Sequence, residues 1–335
     1  MRRSFVLIVA LLLLGAVLGF ATPQTEFPSR DITNVLVWAA GGGTDTCNRV
    51  VMAEMAKVLD VNINVVNVTG GVGGSVGMLD AYSRPHDGYT LAGLSESIVT
   101  AGVQGGWDKR VNVWDYFIIG GSPDVVSVTM DAPYKTIKEL VDAAKANPGS
   151  IKAGASGAGS IHHLNLLALE KGSGAKFNFI PYTGSAPSQN AAMTGEVTVV
   201  VTSVAEQAQL IRGNKLRPLA VLVPDDFKFE NQVFPSAFKS VSGLDEYLPI
   251  SQAIGFAVPR DTPEAVKSVL WDAFDQAMAT NAIKEFGQKN FYILSGATGK
   301  EANDIFDKLE SNFAWTLWEL GAAKVDPASL GIPKP

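Results

Sequence analysis

Asn34-Val35-Leu36-Val37-Trp38-Ala39-Ala40-Gly41-Gly42-Gly43-Thr44-Asp45 sets a short apolar run against a glycine triplet. Asn34–Trp38 reads as a strand, and Thr46–Leu59 reads as a helix with Val50, Val51, Met55 and Val58 near one face. The glycines between them let the backbone approach a ligand closely. Thr44 or Asp45 can cap the helix, whose first N–H groups point outward and favour an anion. A second stretch repeats the design. Ile151–Ala155 leads through Ala155-Ser156-Gly157-Ala158-Gly159-Ser160 into a helix starting at about Ser160. Two such loops suggest two half-sites facing across a cleft, although each also reads as an ordinary strand-to-helix turn. A helix end contributes about 0.3–1 kcal/mol, rising to about 2 when partly buried. Micromolar binding needs about 8 kcal/mol, so further backbone donors and apolar enclosure must supply the rest.

The chain around these loops alternates in the same way. Val61–Val68, Tyr89–Leu94, Phe117–Ile119, Val125–Met130, Phe177–Pro181, Val197–Thr202 and Leu216–Val223 read as strands. Thr136–Ala146 reads as a helix stopped by Asn147-Pro148-Gly149, with further helices over Pro263–Thr280 and Lys300–Leu320. The alternation predicts α/β layers with largely parallel sheets. Gly120–Pro123 and Pro224–Phe227 are the candidate crossings between two domains. No repeat of solenoid or propeller period is present. Trp315–Trp318 reads as packing against the domain surface.

Composition narrows the classes. At roughly 150 residues per domain, 335 residues suggest two domains. An apolar fraction of 47% with 18% charged residues excludes a disordered chain. A net charge of −6 argues against a dedicated nucleic-acid binder. The single Cys47 excludes an internal disulfide framework and a Cys-based metal site, and its helical position suggests a buried, inert thiol. Three His leave little for a metal centre, and His162 and His163, adjacent on a helix, do not converge on one ion. Arg2-Arg3 followed by apolar or small residues from Phe5 to Ala21 fits a secretory leader over residues 1–21, cut after Ala21. A retained anchor helix is the rival reading. Loss of Arg2 and Arg3 leaves 25 of the 27 basic residues against 33 acidic ones, a mature charge of −8.

Nucleotide and hydrolase chemistry fare poorly. No Gly-x-x-x-x-Gly-Lys-Ser/Thr occurs, and Gly70–Gly77 does not space its glycines as Gly-x-Gly-x-x-Gly. Gly73-Gly74-Ser75-Val76-Gly77 matches Gly-x-Ser-x-Gly, so a secreted serine hydrolase using Ser75 is a rival. With 33 Gly in the chain, such matches arise readily by chance.

Several motifs together resemble the extracytoplasmic substrate-binding receptors of tripartite tricarboxylate transporters, the Bug/TctC type. Trp38, Gly41, Gly42, Asp45 and Arg49 stand where that family has an aromatic, Gly-Gly, Asp and Arg. Asn67 with Gly70–Gly77, Pro85-His86-Asp87-Gly88-Tyr89-Thr90-Leu91, and Ser156-Gly157-Ala158-Gly159-Ser160-Ile161-His162-His163-Leu164 follow in the family's order. Pro181-Tyr182-Thr183-Gly184-Ser185-Ala186-Pro187 and Lys215-Leu216-Arg217-Pro218-Leu219-Ala220-Val221 complete the series. Val37 replaces a usual Pro, Thr183 a Lys, and Thr198 an acidic residue of the second domain's wall.

The resemblance implies an α/β, two-domain periplasmic-binding-protein architecture of the type II-like, Venus-flytrap kind. Domain I would comprise 22–122 plus 227–335, with domain II, 123–226, inserted. It implies a monomeric, exported receptor for a small organic carboxylate that docks on the membrane subunits of a tripartite tricarboxylate-type transporter. No cofactor, metal, nucleic acid or catalytic residue is expected. The ligand-binding residues would be Trp38, Gly41, Gly42, Gly43, Thr44, Asp45, Ser156, Gly157, Ala158, Gly159, Ser160, His163, Tyr182 and Thr183. Main-chain N–H groups would hold the carboxylate, with Asp45 capping its helix and Tyr182 and Thr183 shaping the distal pocket. A sensor of the same fold signalling to a membrane kinase is the alternative within this architecture.

Overall fold

The computed structural model describes residues 27–245, 248 and 252–335; the expected leader and its cut after Ala21 lie outside the described residues. The first lobe opens with β1 (Ile32–Leu36), α1 (Gly43–Leu59), β2 (Ile63–Asn67), α2 (Ser75–Tyr82), β3 (Thr90–Ser95) and β4 (Trp114–Gly121). The second holds β5 (Asp124–Thr129), α3 (Ile137–Ala146), β6 (Lys152–Ser156), α4 (Ile161–Ser173), β7 (Asn178–Tyr182), α5 (Ser185–Met193), β8 (Val199–Ser203), α6 (Val204–Arg212) and β9 (Leu216–Val221). A short hairpin, β10 (Phe227–Phe229) with β11 (Gln232–Phe234), follows. The chain then rejoins the first lobe through β12 (Ile254–Pro259), α7 (Glu264–Ala279), α8 (Asn281–Asn290), β13 (Ile293–Thr298) and α9 (Gly299–Glu319).

Among the described residues the two main sheets run β13-β4-β12-β3-β1-β2 and β7-β6-β8-β5-β9. They are mixed, which corrects the expectation of largely parallel sheets. β1 pairs parallel with β2 and β3, and β6 with β7 and β8. β12 runs antiparallel to β3 and β4, and β5 antiparallel to β8 and β9. In each sheet the strand that arrives from the other lobe is an exception, and β13, which follows β12 through two helices, also runs antiparallel to β4. A strand reached through a β-α crossover must lie parallel to its predecessor. One that enters straight from another sheet carries no such constraint.

β4, β5, β8 and β12 are buried almost end to end, because helices cover both faces of each sheet. The edge strands β2 and β7 have exposed positions interspersed with partly buried ones. The outward passage from β4 to β5 lies at Gly121–Asp124. Residues beyond Pro224 do not return at once. Phe229 and Phe234 pack with Val125, Val204 and Ile211, while Ala237, Val241, Leu244 and Leu248 join the core of the second lobe. The chain re-enters the first sheet only at Ile254, later than Pro224–Phe227. Aromatic burial against α6 and β5 keeps the intervening segment with the second lobe.

The first lobe is held on one side by Phe117 of β4, Phe256 of β12 and Phe274 of α7, all fully buried. Phe117 and Phe256 stack at 4.4 Å, and the Phe274 ring meets both edge-on at 5.6 and 5.5 Å. Truncation here leaves a cavity that three elements cannot close. Phe274→Ala is expected to cost about 3–5 kcal/mol, read as a lowered urea midpoint with unchanged slope.

Candidate functional site

The first loop is braced from behind. Asp45, in the first turn of α1, accepts the Gly41 N–H at 2.9 Å, Arg49 Nε at 2.9 and 3.0 Å, and Asn67 Nδ2 at 2.9 Å. Asn67 also donates to the Trp38 carbonyl at 2.8 Å and accepts from Arg49. Burial pushes the Asp45 carboxyl up, but these donors outweigh it and hold the group below its ordinary value. Gly41, at φ +83°, makes the turn that brings its N–H back to Asp45. Asp45 therefore fixes the loop and does not face the cleft.

The two lobes touch directly through hydrogen bonds that each involve a backbone group. Ala39 N–H donates to the Thr183 carbonyl and Gly73 N–H to the Ala158 carbonyl, both at 3.2 Å. Thr100 Oγ1 donates to the Gly159 carbonyl at 2.6 Å, and Ile161 N–H to Ser97 Oγ at 2.9 Å. Gly43 N–H, at the start of α1, donates to Glu206 Oε1 of the other lobe at 2.7 Å. This is a closed cleft.

Two chambers remain, meeting at Trp38. The outer one, about 440 Å3, is lined by Trp38, Gly70, Gly71, Gly157, Ala158, Pro181, Tyr182, Thr183 and Pro187. That falls within the usual size of small-molecule sites, about 300–1,000 Å3. The inner one, about 20 Å3, has Gly42, Gly43, Thr44, Ser156, Glu96, His162 and Glu206 in its wall. A water needs about 10–15 Å3, so the inner chamber in this conformation has room for a water and not for a ligand.

Nine of the fourteen expected residues thus line the cleft: Trp38, Gly42, Gly43, Thr44, Ser156, Gly157, Ala158, Tyr182 and Thr183. The other five line neither chamber. Gly41 and Asp45 brace the first loop. Gly159 donates its N–H to His163 Nδ1 at 3.1 Å, and Ser160 caps α4 by accepting the His163 N–H. The His163 ring stacks on Phe179 at 4.0 Å, away from the cleft, and burial, helped by Lys176, pushes its pKa down to about 4. Its neighbour faces the chamber instead. Successive residues on a helix point about a third of a turn apart, so only one of the pair can do so.

His162 lies among acids that the sequence reading missed. Its Nδ1 meets Asp124 at 2.8 Å and its Nε2 meets Glu206 Oε2 at 3.3 Å. Burial alone would lower its pKa, but the two carboxylates outweigh burial and raise it, which favours the charged ring between them. Glu206 is pushed up by burial and held down, on balance, by His162 and the N–H groups of Ser203 and Gly43. The one legible signal was Ser203-x-x-Glu206, which forms a capping box on α6. Nothing local showed that its carboxylate reaches across to α1. Glu96, fully buried, accepts Ala253 N–H at 2.6 Å and Ser97 Oγ–H at 2.8 Å.

The hydrolase reading of Ser75 loses its base. Ser75 begins α2 and is buried, while all three His are engaged elsewhere: His86 with Asp261, His162 with Asp124, and His163 with Gly159. Cys47 is buried too, and burial pushes its thiol up. Among the described residues no His/Cys/Asp/Glu group could hold a metal, and no helix is long and apolar enough to cross a membrane.

Two mixed sheets, crossed by extended strands and closed over a cleft of glycine-rich loops, define a periplasmic solute-binding protein fold. An adipate-bound protein of R. palustris, Rpa4515, shares it with a TM-score of 0.81 at 20% identity, covering 89% of this chain and 99% of that one. MatC (Rpa3494) of Rhodopseudomonas palustris, with bound malate, aligns with a TM-score of 0.78 at 20% identity over 87% and 100%. The chain belongs to the tripartite tricarboxylate transporter family receptors, TctC, whose pattern matches residues 47–303. A Cupriavidus necator relative, the UPF0065 protein in the gbd 5′ region, is 29% identical over 330 residues, 92% of this chain and 98% of its own.

Glu96 gives this cleft a measurable pH signature. Burial pushes its carboxyl up from 4.5 to about 7, against the pull of the Ala253 N–H, Ser97 and His162. Its folded pKa lies above its unfolded one, so the folded state holds more protons between those values. Stability from this group is therefore lost as pH rises from about 4.5 through 7. The advantage of wild type over Glu96→Gln should shrink by about 1–3 kcal/mol between pH 4.5 and 8 in urea unfolding. A difference that ignores pH would contradict the shift.

Proposed function

We propose that this protein is an extracytoplasmic receptor that captures a small organic carboxylate between its lobes and delivers it to the membrane subunits of a tripartite tricarboxylate-type transporter. It works as a monomer, without cofactor or bond-making chemistry, and is exported by a leader cut after Ala21. Domain I comprises 22–122 plus 227–335 by this reading, with Phe229, Phe234, Ala237, Val241 and Leu244 packed against the inserted domain II, 123–226.

The observation that carries the reading is the convergence of two glycine-rich loops, from different sheets, on one cleft with no lining Lys or Arg among the described residues. Such a wall can hold a carboxylate through backbone N–H groups and helix starts. The ligand's body belongs in the outer chamber against Trp38, Gly157, Ala158 and Tyr182. Its reach inward requires the lobes to separate at Gly43–Glu206. The adipate and malate in the two R. palustris structures are of the proposed ligand class.

A thermal-shift screen of organic acids tests this directly. An acid at a hundred times its Kd should add about 2.7 kcal/mol of stability. Gly42→Val should abolish that shift and leave the unliganded Tm close to wild type. Gly42 has φ −77°, and a Cβ there meets nothing nearer than 3.5 Å, so the new side chain fills the chamber without straining the loop. Undiminished affinity in the variant would remove the first loop from the site.

A further inference from the structure

We propose that Glu206 makes this receptor select acids whose far end carries a hydrogen-bond donor, an ammonium above all, over diacids of the same length. The inference rests on the reading of the cleft as a carboxylate receptor and concerns which carboxylates it takes.

The start of α1 is the natural anion position of the first loop, and it already holds an anion. Glu206 Oε1 takes the Gly43 N–H at 2.7 Å from the opposite lobe. The carboxylate is not a loose surface group that a ligand could brush aside. Its side chain is 4% exposed. Oε2 accepts the Ser203 N–H and Oγ–H, both at 2.9 Å, and faces His162 Nε2 at 3.3 Å. Moving it would break the capping box of α6 and uncover a buried imidazolium.

The charges around the inner chamber do not favour a second ligand carboxylate. Glu96 and Glu206 line it, with Asp124 directly behind His162. Among the described residues His162 is the lone cationic side chain in the wall, and both its nitrogens are committed to carboxylates. The start of α5 at Gly184–Ser185 also faces the chamber, but a helix end carries only about half a charge. A diacid reaching inward would place like charge beside a buried carboxylate. An ammonium or hydroxyl there would find acceptors in Glu206, Glu96 and the hydroxyls of Ser95 and Ser156. The ligand's own carboxylate is left to the second loop, at Gly157 and Ala158.

Calorimetry on the mature protein at pH 8 decides it. The probes are 4-aminobutyrate, 5-aminopentanoate and 6-aminohexanoate, each matched against succinate, glutarate or adipate. At the length that fits best, the amino acid should bind at least tenfold tighter than its diacid. Glu206→Gln keeps an acceptor for Gly43 N–H but removes the charge, and should cut that preference at least tenfold. A wild type that binds diacids as well or better overturns the proposal and leaves the carboxylate reading standing. An unchanged preference in a folded Glu206→Gln also overturns it. If neither series binds, nor any simple monocarboxylate, the carboxylate reading itself falls, and this proposal with it.

Discussion

The closed cleft is organised around one carboxylate. Glu206 joins the start of α6, through Ser203, to the start of α1, through Gly43, and to His162 on α4. His162 passes the connection to Asp124, the first residue of β5 after the crossing between lobes. A hydrogen bond to a charged acceptor is worth about 1.5–3 kcal/mol, and more is lost when a buried partner is left unsatisfied. Opening the cleft separates Gly43 from Glu206, yet the rest of the cluster stays within one lobe. The carboxylate thus keeps its partners on its own side and exchanges one across the gap. Closure can be favourable in such a system without being irreversible.

The crossings make that exchange possible. β4 runs into β5 through two residues, Ser122 and Pro123, and the return arrives at β12, which is inserted between β3 and β4. Gln252 ties the two passages together by accepting the Ser122 N–H at 2.9 Å. Hinge motion in such folds needs only a few residues at the ends of elements to absorb the change. Here the two passages run side by side at the ends of β4, β5 and β12, where the sheets meet.

Much of this was legible in the chain because it rests on local rules. The glycine triplet before a helix, the Ser-Gly-x-Gly-Ser loop and the strand alternation each follow from neighbours in sequence, and nine of the residues they single out line the cleft. What escaped was tertiary. The antiparallel strands β5 and β12 look like any other apolar run, since direction depends on where the chain came from. His162 and His163 are equivalent in composition and differ only in which helix face meets β5. Glu206 was readable as a cap, but its reach to Gly43 spans 163 positions and belongs to no local pattern. The hairpin of β10 and β11 was missed because three-residue strands carry too little periodicity to register.

Net charge poses a last question for the proposed capture of acids. At −6, the chain as a whole repels anions at long range. That field is screened over about 8 Å at physiological ionic strength, whereas backbone N–H groups act at contact. The site can therefore be cationic in effect while the surface is not. The inner chamber adds a further layer, because its own acids already take up donors the fold supplies: Gly43 and His162 for Glu206, Ala253 and Ser97 for Glu96. Selectivity in this receptor then depends less on how much positive potential it offers than on how much of it the protein has already spent on itself.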